Sequence, residues 1–217
     1  MSHDPALSDR TAGRLLDAAI QVFAERGYDK SSTREICRLA QANVAAIHYH
    51  FGDKAGLYRE VLRAGLNRLE DPFEPERLTR RATLLRFYRF LLAPLAGSEL
   101  HQRLIRIHIR EELEPTGVLD DTGARAILPR HRKLTAFLAR EIGAARPDLE
   151  IERLAFSLLG IGAIFYHLRG EIGAIEARLV TPGRALDIAA ERLSAYAEVL
   201  IEAEAARRRA SARGAAT

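Results

Sequence analysis

Apolar residues along this chain recur at helical spacing and almost never alternate. The clearest stretch runs from Ser31 to Lys54 and reads S-S-T-R-E-I-C-R-L-A-Q-A-N-V-A-A-I-H-Y-H-F-G-D-K. Ile36, Leu39 and Ala40 fall at i, i+3, i+4, and Val44, Ile47 and Phe51 at i, i+3, i+7, so each set shares an inward face. The polar break from Gln41 to Asn43 separates them, which predicts two short helices joined by a tight turn. Ser32 and Glu35 have the spacing of a capping box, in which each side chain bonds the other's backbone N–H, so the first helix is predicted to start at Thr33. Gly52 ends the second helix with a glycine C-cap, and Asp53 caps the start of the next.

The same reading extends in both directions. Upstream, Leu15, Leu16, Ala19, Val22 and Phe23 mark a first helix that closes in Ala24 to Tyr28. Downstream, a helix is predicted from Lys54 to about Leu69. Asp71 to Glu76 (D-P-F-E-P-E) is a turn-rich junction. Further helices are predicted over 77–95, 99–113, 121–145 (with Pro129 as a start or a kink), 151–169 and 182–209. Gly160 and Gly162 cost about 1 kcal/mol each against alanine, so their presence in an apolar helix predicts close helix–helix approach. Leu186, Ala189, Leu193, Tyr196, Ala197 and Leu200 form one face, either a core face within the chain or a dimer surface. The fold class is all-α. An N-terminal three-helix helix-turn-helix domain (9–70) precedes a larger C-terminal helical domain (71–209) and a disordered tail (210–217). Arg207, Arg208, Arg209 and Arg213 lie in or near that tail, either as extra DNA contacts or as part of a frayed end.

Composition narrows the function. The formal charge is only +4, but Asp9 to Arg68 holds ten basic against seven acidic residues, so most of the excess lies in the first domain. One cysteine, Cys37, excludes an intramolecular disulfide and fits a reducing compartment; a small packed side chain is the simplest account of it. The apolar run Leu154 to Leu168 is too short to span a membrane, and the first residues are polar, so a cytoplasmic location is expected.

The outward arc of the second short helix carries the chemistry. Ala45 and Ala46 let a backbone approach base edges, and His48, Tyr49 and His50 bring donors. Asn43 sits at the turn, where it can meet a base or a phosphate. Ser32, Thr33 and Arg34 lie where such a motif approaches the DNA backbone. Lys54, beside free backbone N–H groups, suits a phosphate oxygen. An enzyme is disfavoured: there is no H-E-x-x-H, glycine-rich phosphate loop or G-x-S-x-G. His48 and His50 stand at i, i+2 and diverge on a helix, so no metal and no cofactor is expected. A protein-binding helical adaptor would show an apolar stripe in place of the His-Tyr-His arc.

These residues resemble the DNA-binding domain of the TetR family of bacterial transcriptional repressors, from about Asp9 to Leu66. The segment S-S-T-R-E-I-C-R-L-A is similar to the family's second helix, and His48 to Tyr58 to its Y-x-x-F-x-x-K-x-x-L signature. One departure is visible: the usual tyrosine position is His48, with Tyr49 next to it. A-N-V-A-A-I-H-Y-H-F-G-D-K-A-G-L-Y, with R-E-E-L-E-P-T-G-V-L-D at Arg110 to Asp120, is similar to the CecR-like branch. The resemblance implies a homodimer on a double-stranded, palindromic DNA operator. It also implies repression relieved by a small-molecule effector, drug-like or amphipathic, and control of efflux or drug-response genes. A DNA-binding regulator without such a switch, or an activator, is the alternative. Candidate effector contacts are Tyr88, His108, Phe165, Tyr166 and His167, polar or aromatic residues set in apolar stretches; Glu112 lies on nearly the same face as His108.

Overall fold

The computed structural model describes residues 5–67, 71–73, 78–97, 99–119 and 122–214. Among them there is no strand. The order is α1 (Pro5–Arg26), α2 (Thr33–Ala40), α3 (Val44–Phe51), α4 (Lys54–Asn67), α5 (Arg80–Leu92), α6 (Glu99–Leu113), α7 (Thr122–Ile142), α8 (Leu149–His167), α9 (Arg169–Glu176), a 3₁₀ turn (Ala177–Leu179) and α10 (Arg184–Gly214). The fold is all-α, as the alanine- and leucine-rich helical periodicity predicts. The junction at Asp71 to Glu76 lies partly outside the described residues.

The chain forms two units, Met1–Leu69 with Glu99–Ile127 and Glu70–Ser98 with Leu128–Thr217. A single cut between residues 70 and 71 is therefore corrected: α6 returns to the first unit, where it packs on α1 and α4. Its buried residues explain why. Leu104 and Ile107 are apolar, and Glu111 enters with them as a charged acceptor. The Glu111 carboxylate accepts from the Tyr58 hydroxyl at 2.9 Å and from both the backbone N–H and hydroxyl of Thr116 at 3.1 Å. Burial first, then the bond to Glu111, pushes the Tyr58 phenol well above its ordinary value. Arg110 donates to the carbonyl of Phe23 at 3.3 Å and packs against Gly27, which closes α1 at φ 75°. Replacing Glu111 by alanine strands the buried Tyr58 hydroxyl and should cost about 1–3 kcal/mol of stability. Glu111→Gln, which keeps an acceptor, should cost less. Urea midpoints check this, and an unshifted midpoint in the alanine variant would refute it.

The second unit is built on α5, α7, α8 and α10 around Leu84, Phe87, Tyr88, Phe137, Leu138 and Leu158. Thr79 and Asp148 cap α5 and α8 through their side-chain oxygens, at 3.3 Å to the N–H of Ala82 and 3.1 Å to that of Ile151. The two α8 glycines behave differently. A Cβ on Gly162 would lie 2.7 Å from Leu91 and 3.1 Å from the Tyr88 ring, so the close approach to α5 is real there. Gly160 faces open space.

Three expectations need correction here. Sequence periodicity does not predict α9, because Gly170 and Gly173 dilute its helical propensity. The tail expected to be disordered at 210–217 is helical to Gly214, and residues 215–217 lie outside the described ones. Arg208 is tied down upstream of it, forming a two-point ion pair with Asp148 at 2.7 Å while also bonding Glu204. Arg207 likewise pairs with Glu204. Finally, the face named on α10 divides. Leu186, Leu193 and Ala197 are buried within the chain, with Ala190 and Ile201, while Tyr196 and Leu200 are exposed.

Candidate nucleic-acid interface

The helix-turn-helix is formed by α2 and α3 packed on α1, with α4 against α3. The capping box at its start does not close. Ser32 occupies the N-cap with extended backbone, but its side chain makes no cap hydrogen bond. Glu35 is drawn instead to Arg26 of α1, in an ion pair at 2.7 Å. Leu39, predicted to face inward, is 41% exposed, and the buried side of α2 is Ile36, Cys37 and Ala40. The helix is short and leans on α1 along that edge, so Cys37 takes the inner position and burial pushes its thiol pKa up.

The turn is shaped by backbone geometry more than by side-chain polarity. Gln41 adopts the left-handed conformation (φ 50°, ψ 46°), and the next N–H, of Ala42, bonds back to Cys37 at 2.9 Å. Arg14 of α1 donates to the carbonyl of Ala40 at 3.1 Å, which satisfies another free end of α2. Asn43 then caps α3, its side-chain oxygen accepting from the N–H of Ala45 at 3.1 Å. This use of Asn43 sets the helix start and leaves the amide nitrogen end for an outside partner.

On α3, Ile47 is buried, Val44 and Phe51 are half-buried, and the opposite arc faces out. Ala45, His48 and Tyr49 are exposed, Tyr49 by 67%, while Ala46 and His50 are intermediate. His48 turns back to the end of its own helix. Its Nδ1 lies 2.7 Å from the Gly52 carbonyl, which only accepts, so Nδ1 carries the proton and Nε2 is left outward. Tyr49 and His50 meet edge-to-face at 4.8 Å.

Asp53 caps α4 by accepting from the N–H of Gly56 at 2.6 Å. Lys54 follows, held in place: its Nζ sits 4.4 Å from the centroid of the Tyr28 ring and donates to the Asp29 carbonyl at 3.5 Å. Desolvation there lowers its pKa. Arg34 is exposed and Thr33 half-exposed at the start of α2. The first unit thus gathers alanines, a tyrosine, two histidines and an anchored lysine along α3 and the start of α4. Such a surface suits base edges flanked by phosphates.

Comparison with known proteins decides the family. Residues 15–61 match the bacterial regulatory proteins of the tetR family. Residues 80–203, more than half of the chain, match the C-terminal domain of the HTH-type transcriptional dual regulator CecR. The chain belongs to the TetR family, in its CecR-like branch.

Among its relatives is the HTH-type transcriptional dual regulator CecR of Shigella flexneri, 29% identical over 73% of this chain and 78% of that protein. The HTH-type transcriptional repressor NicS of Pseudomonas putida is 32% identical over 45% of this chain and 52% of its own length. A tetR-family regulator from Streptomyces coelicolor shares the fold, with a TM-score of 0.65, 17% identity, and coverage of 92% of this chain and 83% of that one.

As a TetR-family member the chain is a DNA-binding transcription regulator, in a family of regulators and not of enzymes. Among the described residues no group of histidine, cysteine or acidic side chains could hold a metal, and no single helix is long and apolar enough to cross a membrane.

The candidate effector contacts are scattered. Tyr88 is fully buried in the second unit and donates to the Leu158 carbonyl at 3.3 Å. Phe165 is half-buried on α8 and lines a groove of about 700 Å³ with Leu179, Ile188 and Tyr196. Tyr166 lies under Arg169, and His167 is exposed. His108 belongs to the first unit. A glutamate at 112 does not satisfy it: Glu112 is exposed and Glu111 is engaged by Tyr58. Its Nε2 is buried without a hydrogen-bond partner among the described residues, and burial lowers its pKa to about 4. Residues that sequence reasoning passes over are Tyr28, Arg14 and Arg26, which support the reading surface from α1 and the turn after it. Aromatic and basic residues beside a helix end are too common to signal this without contacts.

Proposed function

We propose that this protein is a homodimeric repressor that binds a palindromic operator and is released by a small-molecule effector. The observation that carries the reading is the outward arc of α3, continuous in sequence with Lys54 anchored at the start of α4. In it Ala45, Ala46 and Asn43 meet base edges. Tyr49, His50 and Lys54 meet phosphates, with Ser32, Thr33 and Arg34 at the flanking backbone, while His48 offers Nε2 as an acceptor to a base amino group. The protein works in the cytoplasm, where such an operator is found.

Dimerisation through the second unit is supported by rows of exposed apolar residues on two adjacent helices: Phe156 and Ile164 on α8, and Ile188, Tyr196 and Val199 on α10. Gly160 stands between Phe156 and Ile164 at helical spacing, and its open space suits a close neighbour helix. An amphipathic effector is supported by the groove that shares Ile188 and Tyr196 with these rows, where Arg184 and Arg192 accompany Phe165 and Leu179. The effector acts by as much as its affinity differs between the DNA-competent state and the other. Efflux or drug-response genes are the proposed targets. Activation at some promoters is the second reading, favoured by the relative described as a dual regulator.

The test is fluorescence anisotropy against DNA from immediately upstream of the gene, with a random duplex at the same salt as control. Tight binding well above the control is expected, and equal weak binding to both would count against an operator at that place. Lys54→Ala should weaken binding to every sequence. It should also flatten the plot of log affinity against log salt by about 0.9 for each phosphate no longer neutralised, so nearly 2 for a dimer. An unchanged slope removes Lys54 from the anchors.

A further inference from the structure

Tyr28 lies in the turn after α1, outside both helices of the reading motif. It is nevertheless the residue on which Lys54 rests. The ammonium stands 4.4 Å from the ring centroid and also donates to the carbonyl of the next residue, Asp29, at 3.5 Å. The ring is itself backed by buried groups. It lies 4.9 Å from the Tyr58 ring and 6.2 Å from that of Phe23, and those two meet edge-to-face at 4.9 Å. Tyr58 in turn is bonded to the buried Glu111. The Tyr28 carbonyl accepts from the Ser31 hydroxyl at 2.6 Å, which fixes the turn. The platform under Lys54 is therefore rigid, although Tyr28 is only half-buried.

We propose that Tyr28 is a positioning residue for DNA binding, holding the Lys54 ammonium in the place where it meets a phosphate. The proposal rests on Lys54 being a phosphate anchor. A free lysine on a four-carbon stem must lose its rotamer freedom when it binds. Here the stem is ordered beforehand. Attraction to the ring face restrains the charge without using up its donors, and the Asp29 carbonyl takes one of three N–H groups. The remaining donors are left for phosphate oxygens at the N-terminus of α4, where backbone N–H groups reinforce them. The ring face does this work, not the hydroxyl, so phenylalanine should serve and an aliphatic side chain should not.

The test is a double-mutant cycle read by operator affinity across a salt series, with circular dichroism melts of every variant. Tyr28→Leu should weaken binding roughly fivefold or more in the Lys54 protein, since two half-sites are affected, and less than twofold in the Lys54→Ala background. Tyr28→Phe should bind as the parent does. Because Tyr28→Leu also alters the aromatic cluster, a series of progressively fluorinated phenylalanines at position 28 keeps the packing while removing the ring's negative face. Affinity should fall stepwise along the series with Lys54 present and stay flat with Lys54→Ala. Additive losses in the cycle, or a flat series with Lys54 present, would overturn the proposal. If Lys54→Ala alone leaves affinity and salt slope unchanged, the phosphate-anchor reading fails first and takes this proposal with it.

Discussion

Replacing Tyr196 and Val199 together by aspartate is expected to give a folded monomer that binds its operator about a hundredfold more weakly or worse. Both side chains are exposed in the chain, by 57% and 64%, and neither belongs to the core. The neighbouring positions that hold α10 to its own unit, Leu193, Ala197 and Ile201, are untouched. Charges in an apolar dimer contact would be desolvated without partners, and four of them would face each other across a two-fold axis. A dimeric helix-turn-helix protein binds two half-sites as one ligand, so a monomer loses the second site's effective concentration. Sedimentation velocity gives the oligomeric state and anisotropy the affinity. A variant that remains a dimer at micromolar concentration places the interface elsewhere. A monomer with parental affinity would sink the homodimer reading itself.

Tyr88→Ala is expected to destabilise the protein by about 3–5 kcal/mol, because it empties a fully buried ring site against which Gly162 fits closely. For a chain of this size each kcal/mol lowers the melting temperature by about 2–4 °C, so a fall on the order of 10 °C should appear in a thermal melt. Tyr88→Phe removes only the bond to the Leu158 carbonyl and should cost about 0.5–1.5 kcal/mol. The pair separates two roles for this residue. A core residue gives the stability losses with an unaltered effector response in the phenylalanine variant. Loss of the effector response in Tyr88→Phe at intact stability would instead make the hydroxyl a ligand contact.

The particular elements show which signals are reliable. The boundaries of α2 and α3 are legible at Thr33, Val44 and Phe51, because short-range periodicity and the Gly52-Asp53 pair act over a few residues. The outward placement of Ala45, His48 and Tyr49 follows from the inward set alone. The capping box at Ser32 and Glu35 misleads, since a favourable local spacing loses to an ion pair with Arg26, nine residues away and on another helix. Leu39 misleads for a related reason: two short helices share only one edge with α1, and three inward positions on α2 fill it. The division of α10 into a core row and an exposed row is not legible, because alanines and leucines satisfy either role at the same period.

The order and type of most helices, the helix-turn-helix with its outward arc, and the resemblance to one family are determined by the sequence alone. These depend on periodicity, caps and ordered motifs, all of which act within a few residues along the chain. Only the tertiary structure decided that α6 belongs with the reading head through Glu111 and Arg110. It alone shows that Arg208 ties the last helix to Asp148, and that Tyr28 supports Lys54. Each of these joins groups at least 26 residues apart in sequence, and an interaction between such groups depends on distance in space, which no local pattern encodes.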